Sequence, residues 1–421
     1  MFKTLFLKEC KQILKSISYY IFVASIVLFF VTQIGEFDVL VKPQVGGDNY
    51  GFKYSDDEDV IMKQSLKELI LEFDRNSFST YPVGFYKEVI LNETKQEEME
   101  DILNILTGLS MDEINKRLSR YYDGQINVMT EYGYMMVQDG VELDIQVLES
   151  ISYDEYLVIM DNVDKLIGGG SSYHPKSLKN IARVPRSYEE AMEDYNSILK
   201  EDRVSAAYAR QFSDYMGIVL GVLPVFLAVT RGLRDKRALT AETIYSKKAS
   251  SWTIVLTRYF STILMILVPL LILSISPSLQ SLYFADSIGV KGDALAFVKY
   301  IMGWLLPTIL FATSIGFFFT ELTGGPLGIL VQMAWWIVSV FIAGGNLVGY
   351  VGWSLVPRFN TVGKYSIYAS IYDELVINRM VYSIASIVLL VLTVYIYSLK
   401  RKGVLNISGK LLPNFKSKSK I

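Results

Sequence analysis

The sequence has 421 residues, of which 51% are hydrophobic, and its 41 basic and 43 acidic residues leave a formal net charge of −2. With one cysteine, Cys10, and one histidine, His174, it has no partner for an intramolecular disulfide and is a poor candidate for zinc or Cys/His chemistry. We therefore expect neither a metal nor a cofactor. The hydrophobic residues are concentrated in long runs without Asp, Glu, Lys or Arg, as in a membrane protein.

Six charge-free runs are long enough, or nearly long enough, to cross a bilayer, because about 20 helical residues span its hydrocarbon core. They are residues 16–35, 215–230, 259–285, 300–320, 322–357 and 380–399. The second run is the shortest and contains Pro224, which predicts a kink. The sequence thus predicts an all-α polytopic membrane protein with six transmembrane helices.

Residues 1–34 predict an interfacial helix followed by the first transmembrane span. Phe2, Leu5 and Phe6 recur at near-helical spacing, while Lys8 and Lys11 occupy the opposite face. A simple basic flank of the first span is the alternative interpretation.

Charge is sorted along the chain. Residues 35–214 contain 35 of the 43 acidic residues and 18 of the 41 basic residues, so their net charge is −17 and that of the remainder is +15. Most basic residues of the remainder fall in three segments, namely residues 3–15, 231–258 and 400–420. The positive-inside rule places these segments in the cytoplasm. We therefore expect a multi-pass protein of the cell membrane with both termini cytoplasmic and residues 35–214 outside.

The segment 35–214 has the composition of a globular domain and is long enough to have its own core. Ser55, Ser110 and Ser187 are each followed three residues later by Glu, which is the spacing of a capping box. These signals predict a mainly helical extracellular domain. Its last helix is predicted from Ser187 through Arg210 and should run directly into the second span.

The predicted cytoplasmic segments are too short for an enzyme domain, so we expect the chain itself not to be an enzyme. The segment after the second span has a distinctive order of residue types. An acidic residue precedes a hydrophobic pair, a Ser-Lys turn, a serine pair, an aliphatic run and a basic-aromatic pair. These are Glu242, Ile244 with Tyr245, Ser246 with Lys247, Ser250 with Ser251, residues 254–256, and Arg258 with Tyr259.

This order resembles the type-2 ABC exporter permeases. The resemblance implies that residues 231–253 form the cytoplasmic coupling loop that docks into a groove of a separate ATPase. The coupling residues it implies are Arg231, Arg234, Asp235, Arg237, Glu242, Tyr245, Ser246 and Lys247. It also implies two copies of the ATPase and a second permease chain, the same or similar. Lys247 and Lys248 depart from the family pattern, in which Pro often follows the Ser; a solvated basic loop is the alternative.

Between the fifth and sixth spans, Tyr365, Tyr368 and Tyr372 share one helical face by their spacing, and Pro357 precedes them. The resemblance implies that this stretch contains short re-entrant helices that shape an extracellular exit. An interfacial aromatic anchor is the alternative.

No charged residue lies well within a predicted span, whereas ion-coupled carriers usually need such groups. The sequence therefore favours a permease, driven by a separate ATPase, that exports an amphipathic substrate such as a peptide, an antibiotic or a lipid. The alternative is a non-transporting sensor or mechanotransmitting resistance module coupled to an ATPase. The expected surroundings are a lipid bilayer, and no nucleic-acid partner is expected.

Overall fold

The computed structural model describes residues 1–34, 40–47, 49–82, 86–129, 135–139, 142–342 and 347–405. The chain is mostly helical and forms two compact units. The first, here called the membrane unit, comprises Met1–Lys42 and Met192–Ile421, and the second, the inserted unit, comprises Pro43–Ala191. The inserted unit lies within the segment 35–214 that the sequence predicts as a domain.

The chain begins with two helices, α1 (Phe2–Leu14) and α2 (Ile17–Gln33), which meet at an angle of 70°. α2 is apolar along its whole length, whereas α1 carries Lys8 and Lys11. This sharp bend between an amphipathic and an apolar helix is the geometry of an interfacial helix followed by a membrane span.

Among its described residues, the inserted unit contains four α-helices, one 3₁₀ turn (Leu178–Asn180) and three pairs of short antiparallel strands. They are, in order, β1 (Phe52–Tyr54), α3 (Glu58–Asp74), β2 (Phe78–Thr80), β3 (Lys87–Val89), α4 (Glu93–Thr107), α5 (Met111–Asp123), β4 (Gln125–Met129), β5 (Met135–Asp139), α6 (Tyr153–Leu166) and β6 (Arg183–Pro185). β1 pairs with β6, β2 with β3, and β4 with β5. The helices enclose a core in which Leu66, Leu69, Met99, Leu103 and Tyr156 are fully buried.

Two of the three predicted capping boxes are confirmed. Ser110 and Glu113 bond reciprocally at the start of α5, and Ser187 and Glu190 do so at 3.1 and 3.2 Å. The prediction at Ser55 is wrong, because α3 begins later and Asp57 caps it by accepting from two backbone N–H groups. Sequence reasoning also missed a capping box at the start of α6.

The helix predicted from Ser187 through Arg210 is two helices, α7 (Tyr188–Lys200) and α8 (Ser205–Leu220). The chain breaks between them where Arg203 and Val204 adopt positive φ angles of 47° and 62°. Val204 is fully buried, so packing holds a β-branched residue in a conformation that it rarely adopts.

α8 is followed by α9 (Leu223–Arg237) after a bend of 43°. The kink predicted at Pro224 lies just before this residue. Pro224 itself occupies the first turn of α9, where backbone N–H groups have no partner within the helix, so its missing N–H breaks no helical hydrogen bond. The break is at Gly221, where an added Cβ would lie 2.7 Å from Trp336. The carbonyl of Gly221, released from the helix, accepts a 2.6 Å hydrogen bond from Gln332.

The remaining elements all belong to the membrane unit. They are α10 (Ala241–Tyr245), α11 (Ser251–Ser287), α12 (Ala296–Tyr300), α13 (Leu306–Thr323), α14 (Leu327–Ile342), β7 (Val348–Tyr350), β8 (Arg358–Phe359) and α15 (Tyr365–Arg401). A π-helical turn, Ile301–Leu305, joins α12 to α13. α11 and α15 have 37 residues each.

Within the described residues, three helical segments are long and apolar enough to cross a membrane: α11, α12 with α13, and α15. The number is five if α1 with α2 and α8 with α9 each count as one span. These helices are those of a membrane protein. The predicted count of six is not confirmed, since α14 is apolar but has only 16 residues.

The segment 347–364 departs from the prediction of short re-entrant helices. Its residues form the β7–β8 pair and a buried loop, and none of them is helical. Neighbouring helices satisfy its backbone: Thr308 donates to the carbonyl of Leu355 at 2.9 Å, and Asn378 donates to that of Ser354 at 3.0 Å. These bonds give buried carbonyls the partners that irregular backbone would otherwise lack.

Candidate coupling site

The segment between α9 and α11 forms an exposed turn and the short helix α10. Leu239 adopts a φ of 54° in the turn and is 91% exposed. Glu242 and Ser246 are exposed as well, whereas Ile244 and Tyr245 of α10 are half-buried against the membrane unit. α11 then begins at a side-chain cap, in which Ser250 accepts from the N–H of Thr253. α10 thus presents one face to solvent and packs with the other.

The end of α15 holds α10 in place. Arg401 donates to the carbonyl of Tyr245 at 2.8 Å, to that of Ala249 at 2.5 Å and to that of Lys247. The rings of Tyr245 and Tyr397 meet edge to face with centroids 5.5 Å apart. One side chain from the last helix therefore fixes three carbonyls of the segment that the sequence predicts to bind an ATPase.

A buried network of alternating charges joins α1, α9 and α11. Arg231 donates to Glu9 at 2.5 and 2.6 Å and to Asp235 at 3.3 Å. Arg258 pairs with Asp235, and its Nε lies 3.8 Å from Glu9. We call these four residues the Glu9 network. The network places each carboxylate between two guanidinium groups. It therefore ties α1 to the base of the candidate coupling loop.

A cavity of about 560 Å³ lies beneath α10. Asp235, Glu242 and Tyr245 line it together with the ends of α13 and α15, where Lys400 pairs with Glu321 at 3.4 Å. Burial, followed by the charge of Glu321, raises the pKa of Tyr245 above its ordinary value. The cavity is thus lined by side chains of both charge signs together with apolar ones.

The structure divides the predicted coupling residues between two cavities. Arg231, Arg234 and Arg237 lie on the other face of α9 and line a second cavity of about 460 Å³, next to the junction of α1 and α2. Ser246 and Lys247 are exposed and lie outside the lining that the described residues give either cavity. The predicted set is therefore not one contiguous surface.

The tyrosines predicted at the extracellular exit do share one face of α15. The ring centroids of Tyr365 and Tyr368 are 6.1 Å apart, and those of Tyr368 and Tyr372 are 5.9 Å apart. Tyr368 also lies under the guanidinium of Arg210, at 4.5 Å. Arg210 forms a bidentate pair with Asp202, with both distances 2.8 Å and both side chains buried.

A third cavity, of about 630 Å³, lies between the π-helical turn and α15. Tyr368 and Tyr372 line it, whereas Tyr365 and Pro357 are outside the lining that the described residues define. Pro357 is buried and precedes Arg358, which pairs with the buried Asp214 at 2.9 and 3.2 Å. The four predicted exit residues thus lie near the start of α15 and the loop before it, but they do not all line one cavity.

Sequence reasoning did not assign a supporting role to the side chains that hold the candidate coupling site together, although it named Arg258 in the motif after the second span. Arg258, Glu321 and Arg401 lie at the ends of charge-free runs, whereas Glu9 lies within α1, and the four are on elements far apart in the sequence. One signal was present: Glu9 is the only acidic residue among the first 34. In the structure this acidic residue pairs with Arg231 and approaches Arg258, both far along the chain.

Across the part of the chain that the structure describes, no group of three or more His, Cys, Asp or Glu side chains could hold a metal ion. The geometry offers a short helix, exposed on one face, and the side chains that anchor it. Comparison with known protein families, with characterised proteins and with solved structures gives no match to this chain.

Proposed function

We propose that this chain is the membrane-spanning subunit of an ABC exporter and that α10 is its coupling helix. The observation that carries the proposal is the fixation of α10 by Arg401, which anchors an exposed five-residue helix to the end of a 37-residue apolar helix. A loop whose only role is to be solvated has no need of such an anchor.

The proposed orientation places α10 and both termini in the cytoplasm, because the basic residues are concentrated there. The chain then crosses the cell membrane six times, with α14 as the fifth crossing. α14 is about 24 Å long, so it spans most of a hydrocarbon core of about 30 Å. The inserted unit, between the first and second crossings, is extracellular in this arrangement.

In the proposed mechanism, the exposed side of α10 enters a groove of the ATPase. Leu239 supplies an apolar contact at the tip, and Glu242 supplies a charged one. Movement of α10 reaches α15 through Arg401, and movement of α9 reaches α1 and α11 through the Glu9 network. Two such chains with two ATPase copies complete the exporter, and its substrate is an amphipathic peptide, antibiotic or lipid.

The first test is charge reversal at Glu242, followed by co-purification with candidate ABC ATPases from the same organism. We expect Glu242→Lys to weaken docking, because loss of one partner of an interfacial charge pair costs about 2–5 kcal/mol. Asp286→Lys is the matched control, since Asp286 is exposed at the opposite end of α11. Equal recovery of ATPase with both variants would contradict the proposal.

The second test is reconstitution of both proteins in proteoliposomes with a fluorescent amphipathic substrate. ATP-dependent movement of the substrate that is lost in Glu242→Lys supports export. ATP hydrolysis that responds to the substrate without any movement across the bilayer would instead favour the sensor or mechanotransmitting module.

A further inference from the structure

The second cavity, here called the elbow pocket, lies where α1 meets α2. Ile13 and Lys15 border it on the side of α1, and Leu227, Arg231, Arg234 and Arg237 border it on the side of α9. Its volume of about 460 Å³ accommodates a headgroup-sized ligand. The lining that the described residues give it has a few apolar side chains, four basic ones and no acidic one. The cavity under α10, in contrast, is lined by both basic and acidic side chains.

The pocket carries an excess of positive charge. Arg231 is compensated, because it bonds Glu9 and Asp235. Among the residues that the structure describes, no carboxylate pairs within 4.0 Å with Lys15, Arg234 or Arg237. Three exposed cations therefore border one small volume without a carboxylate partner within it, and electrostatic complementarity favours an anionic ligand there.

The position of the pocket indicates the source of that anion. α2 is apolar throughout, and α1 leaves it at 70°, so a membrane-spanning α2 places α1 close to the bilayer plane. The elbow between them then lies at the depth of the lipid headgroups. Basic pockets between membrane helices at this depth are suited to phosphate-bearing headgroups.

We infer that the elbow pocket binds an anionic phospholipid, with the headgroup phosphate among Lys15, Arg234 and Arg237 and the glycerol region against Ile13 and Leu227. This assignment needs membrane insertion but not an ATPase partner, so it goes beyond the proposed function. It also gives Arg234 and Arg237 a ligand on the face of α9 opposite the cavity beneath α10. A bound headgroup braces α1 against α9, next to the Glu9 network.

The experiment is native mass spectrometry of the full chain in detergent, titrated with phosphatidylglycerol and, separately, with phosphatidylcholine. We expect the wild type to prefer phosphatidylglycerol. Each basic residue near a membrane surface contributes about 1 kcal/mol, so a Lys15→Gln, Arg234→Gln, Arg237→Gln variant should bind phosphatidylglycerol on the order of a hundredfold more weakly. The matched control is Lys248→Gln, Lys291→Gln, Lys402→Gln, which removes three exposed charges outside the pocket and should bind as the wild type does.

A single-residue variant and a competition with inorganic phosphate complete the experiment. Lys15→Gln alone changes one exposed side chain and should weaken binding about fivefold even if the triple variant does not fold. Equal binding by the wild type and the triple variant would overturn the assignment. So would displacement of the lipid by inorganic phosphate alone, which would make the pocket a phosphate site. If the triple variant kept its lipid but lost the ATPase, the three cations would belong to the ATPase contact.

Discussion

The two units of this chain use opposite charges in different ways. In the inserted unit, the described ion pairs lie at the surface, with side chains 33% to 89% exposed. In the membrane unit, Lys299 with Asp293 is the exposed exception, and the other described pairs are at most 17% exposed. The same residue types are thus solvated in one unit and enclosed in the other.

The difference follows from what surrounds each unit. Water screens an exposed ion pair, which then contributes about 0–1 kcal/mol. A charge enclosed among membrane helices has no water to replace a lost partner, so breaking its pair is strongly destabilising even where forming it adds little net stability. The buried pairs should therefore specify which helices meet, whereas the surface pairs should hardly affect the fold.

The largest expected effect is at the pair of Asp214 and Arg358. Asp214→Ala removes the acceptor of two guanidinium bonds and of the N–H of Phe359 at 2.6 Å, all of them buried. Loss of one partner from such a pair costs about 3–5 kcal/mol. We expect the purified protein in detergent to melt at a markedly lower temperature, as measured by tryptophan fluorescence.

The double variant Asp214→Leu with Arg358→Met separates pairing from packing. It removes both charges and should recover much of the loss, because apolar residues of similar volume often replace a buried pair at little cost. If Asp214→Ala alone melted at the same temperature as the wild type, this buried pair would contribute no more to stability than a surface pair.

The next effect concerns the core of the inserted unit. Expressed alone, residues 43–191 should fold cooperatively, because the unit has a hydrophobic core of its own. Leu69 is fully buried in that core, so Leu69→Ala should lower the free energy of unfolding of the fragment by about 2–5 kcal/mol in urea titrations. Val158→Ala is the control, since Val158 is 64% exposed and its truncation should be nearly neutral. A fragment without a cooperative transition would show that the inserted unit depends on the rest of the chain.

Patterns local in the sequence predicted much of the fold. Charge-free runs gave the positions of the apolar helices, and the Ser-to-Glu spacing found two real caps. The spacing of Tyr365, Tyr368 and Tyr372 placed them on one face, as observed. These features depend on neighbours within one or two helical turns, which is why composition and periodicity were sufficient to find them.

Features that depend on distant partners were not predictable in this way. The charge-free run 380–399 begins one residue after Arg379 and so predicts that Arg379 lies outside the span, yet α15 continues through it. Its Nη1 donates to the carbonyl of Trp304 at 3.1 Å and to Thr308 at 2.8 Å. Arg401 and Glu9 likewise act on carbonyls and cations that lie far away along the chain. Only the packing of the helices shows which charges are enclosed and what they meet.

A smaller effect is expected from the pH dependence of the inserted unit. Burial raises the pKa of Glu72, although this carboxylate accepts a 2.6 Å hydrogen bond from Tyr173. The folded unit therefore binds a proton at Glu72 more readily than the unfolded chain does, so this residue's contribution to stability falls as pH rises through the raised pKa. Conversely, the contribution of Glu72 to the free energy of unfolding should increase on acidification toward the ordinary glutamate pKa of about 4.3.

Glu72→Gln removes this titration while retaining an acceptor for Tyr173. We expect the variant to be more stable than the wild-type fragment at about pH 7, and the difference to shrink toward about pH 5. Urea midpoints of the two fragments across this range provide the measurement. A difference that does not vary with pH would show that Glu72 titrates alike in the folded and unfolded states.

The smallest effect should be at the surface pair of Asp161 and Lys165, one helical turn apart on α6 and 2.5 Å from each other. The lysine side chain is 70% exposed, so water and salt compete for both charges. A double-mutant cycle with Asp161→Ala and Lys165→Ala isolates the coupling from the favourable position of a lysine near a helix C-terminus. We expect a coupling free energy of about 0.3–0.5 kcal/mol in the isolated fragment, decreasing with added salt. A coupling free energy between Asp161 and Lys165 as large as the loss of stability expected in Asp214→Ala would contradict this expectation. Solvent exposure would then not explain why ion pairs behave differently in the two units.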